Sequence, residues 1–81
     1  METKVRLRLI YPEEKIKEPI LNQICKKFDV EINIRKADVD EKYGRLELEL
    51  KGKEEEIKNA IDYLKEKGIE VAFIDGEAFR E

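Results

Sequence analysis

Val30-Glu31-Ile32-Asn33-Ile34-Arg35 and, beyond a polar stretch from Lys36 to Gly44, Arg45-Leu46-Glu47-Leu48-Glu49-Leu50-Lys51 decide how this chain folds. Both segments alternate apolar and polar residues with a period of two, which puts one face of a strand in a core and the other in water. The connection between them is short, so the two strands form an antiparallel hairpin, and Gly52 closes it. Ile32 and Ile34 are expected on the buried side with Val30, and Glu31, Asn33 and Arg35 on the other.

Outward from the hairpin the period changes on both sides. Upstream, Val5, Leu7 and Leu9 alternate with Arg6 and Arg8 as a first strand, which Tyr11-Pro12 ends because proline has no backbone donor for a ladder. Glu18-Pro19 then opens a helix, with proline expected at its first position, carrying Ile20, Leu21, Ile24 and Phe28 at helical spacing and Lys26 and Lys27 in the last turn. Downstream, Lys53 to Lys67 presents Ile57, Ala60, Ile61 and Leu64 on one face of a second helix, and Lys67-Gly68 ends it with a cation and a residue suited to a left-handed cap. Ile69, Val71 and Phe73 alternate with Glu70, Ala72 and Ile74 as a fourth strand, broken by Asp75-Gly76. The reading is one domain over residues 1–76 and a tail or linker over 77–81.

Strand, helix, strand, strand, helix, strand is the order of an α+β, ferredoxin-like βαββαβ sandwich: a four-stranded antiparallel sheet with two helices on one face. The first and third strands are then central and the second and fourth are edges. Three inward apolar residues per strand and four per helix supply about 20 core side chains, enough for one small domain.

Composition excludes most chemistry. The chain has 81 residues, 17 Lys+Arg, 20 Asp+Glu and no His, for a formal charge of −3, and 46% of it is charged. Without His or Ser, and with Cys25 alone, neither a Ser–His or Cys–His nucleophile pair nor a zinc site of Cys and His can be assembled. No cofactor is implied and no catalytic residue is assigned. Glu47 and Glu49 read as salt-bridged surface acids rather than a glycosidase pair, and Glu54-Glu55-Glu56 as a complement to the helix dipole rather than a cation site. Cys25 is expected to be a small buried hydrophobe on the first helix. The longest apolar run, Val71 to Ile74, is far short of the ~20 residues of a membrane span, and no basic and apolar leader opens the chain, so a cytoplasmic, membrane-free setting is expected. The negative balance and the lack of aromatic residues on the exposed sheet positions argue against a nucleic-acid module. Fifteen Glu and twelve Lys against four Asn and Gln point to a thermophilic source.

The uncovered sheet face is expected to carry Arg6, Arg8, Glu31, Asn33, Arg35, Arg45, Glu47, Glu49, Glu70, Ala72 and Ile74. Arg6 and Arg8 lie beside Glu47, Glu49 and Glu70 on neighbouring strands, which describes a solvated, ion-paired face. The same residues form a recognition surface, because a guanidinium fork matches a carboxylate and Asn33 both donates and accepts. Edge strands add a route to self-association, which Glu31, Arg35 and Lys36 discourage on the second strand and Ala72 and Ile74 favour on the fourth.

Val5-Arg6-Leu7, Glu18-Pro19-Ile20-Leu21, Ile32-Asn33-Ile34-Arg35, Tyr43-Gly44-Arg45-Leu46 with Gly52, and Tyr63-Leu64 with Gly68-Ile69-Glu70-Val71 make the chain similar to the NIL domain over nearly its whole length. That family is named for Asn-Ile-Leu in the second strand; Asn33 and Ile34 match, and Arg35 stands where the family has Leu. The resemblance implies a domain that binds methionine and inhibits transport at the C-terminus of importer ATPases, or one N-terminal to small ferredoxins linked to homocysteine formation. The chain holds neither a Walker loop nor paired CxxC runs. The early first strand, the short Asp40 to Gly44 hairpin and the Phe79-Arg80-Glu81 tail resemble the ferredoxin-linked type. Arg6, Arg8, Asn33, Ile34 and Arg35 are the candidate ligand or partner residues. The implied partners are a second copy of the chain, a ferredoxin or sulfur-transfer enzyme, and methionine or a related amino acid; a pure dimerisation or docking module without a small ligand is the alternative.

Overall fold

A computed structural model describes residues 2–16, 18–40 and 42–74. The expected break at Asp75-Gly76 and tail at 77–81 lie outside the described residues. The elements are β1 (Glu2–Tyr11), a short 3-10 turn (Glu13–Lys15), α1 (Ile20–Lys27), β2 (Val30–Val39), β3 (Gly44–Lys53), α2 (Glu54–Glu66) and β4 (Glu70–Phe73). The sheet is antiparallel in the order β2-β3-β1-β4, so β1 and β3 are central, as a βαββαβ chain requires.

The core forms between the inward sides of β1 and β3 and the apolar stripes of the helices. Val5, Leu7 and Leu9 of β1 and Leu48 and Leu50 of β3 are buried against Ile20 and Ile24 of α1 and Ile57, Ala60, Ile61 and Leu64 of α2. Tyr11 and Ile69 complete the buried set of 13 among the described residues, and eight further hydrophobic side chains pack partly buried around it.

Several local features depart from the sequence pattern. Pro19 precedes α1 as its cap and is not its first helical residue. The polar stretch from Lys36 is no loop. The second strand runs on to Val39 and the third starts at Gly44, with Asp40 Oδ1 accepting from the Lys42 amide at 2.9 Å and Tyr43 O from the Asp40 amide at 2.8 Å. A bulge between Ile34 and Lys36 makes this extension possible. One extra residue, Arg35, restores the face alternation that the sequence breaks: Lys36 and Asp38 join Asn33 on the outer face, while Ala37 and Val39 continue the inner row of Ile34. Ile34 itself is not core. It is 52% exposed, because β2 is an edge strand and eight-residue α1 does not reach over it. Cys25 is exposed too, correcting the expectation that it is buried; Ile24 and Ile20 take the core side of the helix and leave position 25 in solvent.

α2 ends in a Schellman arrangement: the Ile69 amide donates to Leu64 O at 3.1 Å and the Gly68 amide to Lys65 O at 3.0 Å, with Gly68 at φ 84°. At its other end Glu56 accepts from the Asp29 amide at 2.8 Å, which fastens the start of α2 to the α1–β2 connection.

Candidate functional site

The cross-strand register sorts the outer sheet face into rows. Asn33, Glu49 and Arg6 form one row across β2, β3 and β1; Lys36, Glu47, Arg8 and Ala72 form the next. Lys4, Lys51 and Glu31 lie in the row on one side, and Ile10, Arg45, Asp38 and Glu70 in the row on the other. Arg6 and Arg8 thus lie opposite Glu49 and Glu47, as their alternation implies. The ion pairs form, at 3.8 Å from Arg6 Nε to Glu49 Oε2 and 3.6 Å from Arg8 Nη2 to Glu47 Oε2. Glu70 is opposite Ile10, so it joins neither arginine in the ladder. Such partly exposed pairs contribute roughly 0–1 kcal/mol each. They orient side chains more than they hold the sheet. Arg8 Nε–H is enclosed without a hydrogen-bond partner, an unused donor on this face.

Of the five candidates, the structure brings Arg6, Arg8 and Asn33 onto one surface and separates the other two. Ile34 points to the opposite side of the sheet, and Arg35 occupies the bulge. Two shallow depressions mark this surface. One, about 320 Å3, is formed by Asn33 with Glu31, Glu49, Lys4, Lys51 and Ile32; the other, about 490 Å3, by Lys36, Ala37, Asp38, Arg45 and Glu47. Lys4, Lys51, Lys36 and Asp38 share this surface with the candidates, and strand alternation misses only Lys36 and Asp38 among them. Lys36 and Asp38 lie past the bulge, where the period slips by one, whereas extending the alternation of β1 and β3 by one residue pair finds Lys4 and Lys51.

On the helical side the charged groups serve the fold. Lys67 bridges to Glu18 Oε2 at 3.3 Å and Lys15 to Glu18 Oε1 at 3.4 Å. The Lys67 hydrogen bond, with help from Lys15, lowers the Glu18 pKa, and the same bond raises that of Lys67. Tyr63 stacks edge-on with Phe28 at 5.8 Å, donates to Gln23 Oε1 at 2.8 Å, and lies under Lys27 and Lys67 at 5.0 and 5.5 Å. Together these contacts clasp α1 to α2.

Residues 5–72 match the model of the NIL domain. The chain belongs to the NIL domain family. Among curated proteins this NIL domain is 32% identical over 72 residues to the methionine import ATP-binding protein MetN 2 of Bacillus licheniformis, a match covering 84% of this chain and 21% of that protein. It is 36% identical over 70 residues to the methionine import ATP-binding protein MetN of Protochlamydia amoebophila, covering 82% of this chain and 20% of that one. The domain therefore spans about a fifth of the length of these relatives. Among solved structures, the C-terminal domain of an ABC transporter ATP-binding protein from Enterococcus faecalis superposes with a TM-score of 0.77 at 28% identity, covering 90% of this chain and 86% of that one. The NIL domain is thus homologous to a C-terminal domain of importer ATPases. The de novo design Foldit4, at 15% identity and TM-score 0.56 over 90% of this chain and 96% of its own, shares the fold alone. Among the described residues no helix is long and apolar enough to cross a membrane.

Proposed function

We propose that this NIL domain is a non-catalytic regulatory module that binds a sulfur amino acid, methionine or homocysteine, on its open sheet face. The observation that carries this reading is the depression around Asn33. A free amino acid is a zwitterion, and the depression offers both complements: Lys4 and Lys51 for the carboxylate, Glu31 and Glu49 for the ammonium, and Asn33 between them with a donor and an acceptor. The methionine importers among its relatives support the choice of ligand. The sequence has no His and offers neither a Ser–His nor a Cys–His nucleophile pair, which supports binding over catalysis. Calorimetry with methionine and homocysteine tests it. Saturable heat is expected, with Asn33→Ala weakening affinity about tenfold, ~1.4 kcal/mol, just under the range for a hydrogen bond to a charged group; no heat at millimolar ligand overturns the reading.

A second reading, self-association, is supported by the outer edge of β2. Ten residues long, it ends the sheet with unpaired backbone groups and exposes Ile34 and Val39. The bulge at Arg35 and the charges of Glu31 and Lys36 restrict such pairing to part of the strand. Light scattering that finds only monomer at high concentration removes it. The ferredoxin-linked setting has its own test in the coding sequence downstream, where CxxC runs are expected.

A further inference from the structure

On the opposite side of the sheet from Asn33, between the start of α1 and the closed end of the β2–β3 hairpin, lies a cleft of about 230 Å3. Its walls are mainly apolar, built from Tyr11, Ile16, Ile20, Val39 and Leu46, with Gly44 at one side. Two features of the sequence leave it unfilled. Tyr11, Gly44 and Val39 are cross-strand neighbours on the inner face at the far end of the sheet, beyond the reach of an eight-residue helix. The central one of the three has no side chain. A Cβ on Gly44 would sit 3.4 Å from Tyr11 Cβ, 3.7 Å from Ile16 Cγ1 and 3.8 Å from Val39 Cγ2, ordinary contact distances among the lining groups.

We infer that this cleft is a binding site for a small uncharged apolar molecule about the size of a single ring. An enclosed apolar cavity of about 150 Å3 suffices for benzene, and this cleft, open to solvent on the Val39 side, has room for a molecule of that size. Burying the ligand and the exposed flank of Val39 supplies the driving force. The charged group in the lining, Glu18, already has both carboxylate oxygens committed to Lys15 and Lys67, and the polar side chain of Asn22 carries no charge, so a charged ligand finds no free countercharge there. Burial pushes the Tyr11 phenol up to about 12, in keeping with a wall of low polarity that stays neutral. The site is separate from the Asn33 depression, and the two readings stand or fall independently.

Methyl-resolved NMR of the full chain titrated with benzene, and in parallel with benzoate, tests the site. Expected are saturable shifts confined to the methyls of Ile16, Ile20, Val39 and Leu46 with benzene and none with benzoate. Gly44→Leu, which fills the cleft, is expected to abolish them. Val39→Glu, at a position 54% exposed and so safe for folding, is expected to weaken benzene binding about tenfold by placing a carboxylate at the rim. Shifts that never saturate, binding unchanged in both variants, or benzoate binding as well as benzene would each overturn the inference.

Discussion

Tyr11 shows how one residue's surroundings set a pH limit on the fold. Its phenol has an ordinary pKa of 10.0 and burial raises it to about 12, so folding favours the neutral form. The stabilisation is fully present below pH 10 and is lost as pH rises from 10 towards 12, where the unfolded chain ionises first. Lys67, raised by its bond to Glu18, loses its contribution in the same alkaline direction, whereas the lowered Glu18 loses its own in acid, below the ordinary value of 4.5. Urea midpoints at neutral pH and near pH 11 check this: Tyr11→Phe is expected to reduce the alkaline loss without abolishing it, since Lys67 still titrates. Gly68 makes the complementary point about backbone. It has φ 84° and open space where a Cβ would go, so Gly68→Ala meets only the left-handed penalty. A loss of about 1 kcal/mol in equilibrium unfolding is expected, with an unchanged spectrum of the core. Both residues were legible in the sequence as punctuation, Tyr11 before a proline and Gly68 after a helix. The buried phenol was not, since nothing near Tyr11 in sequence shows what covers it.

Among the elements, α1 carries the greatest consequence per residue. Two fully buried isoleucines, Ile20 and Ile24, dock its eight residues on the sheet. Ile24→Ala is expected to cost ~2–5 kcal/mol, much of a small domain's stability, while Cys25→Ser, one position on and in solvent, stays within ~0.5 kcal/mol. Thermal unfolding of the pair separates the two predictions. Periodicity located this helix and its buried Ile20 and Ile24, but residue type alone suggested burial for Cys25, which the same periodicity leaves in solvent. β2 records the same difficulty in a strand. Alternation placed Asn33 on the outer face but failed past Ile34, where the bulge at Arg35 shifts the period by one and turns an expected loop into four more residues of strand. A bulge leaves no mark in a pattern of polar and apolar letters, since inserting one residue in Ile34-Arg35-Lys36-Ala37 looks like the end of alternation.

At the scale of the molecule, the charge that fills 46% of the chain is distributed by the sheet. Its outer face holds Lys, Arg and Glu in register as a two-sign surface, and its inner face is almost wholly aliphatic except at the hairpin end, where the cleft opens. A chain so rich in Lys and Glu and so poor in Asn and Gln is expected to melt above the ~45–65 °C range of mesophile domains. Calorimetry that finds a midpoint inside that range sinks the expectation. Because the pairs Arg6–Glu49 and Arg8–Glu47 are partly exposed, molar salt is expected to move the midpoint little.

The sequence by itself determined the order of the six main elements, the central and edge strands, the outward direction of Arg6, Arg8 and Asn33, and the family. These follow from periods of two and of three to four residues, from caps and from turns, all local properties of a chain. Only the tertiary structure decided that Asn33 shares a depression with Lys4 and Lys51, that Ile34 is left in solvent, and that a cleft opens where Gly44 meets Tyr11 and Val39. Each of those depends on which residues from distant segments come to lie opposite one another. Strand register, a one-residue bulge and the reach of a short helix fix that, and none of the three is written in any single stretch of sequence.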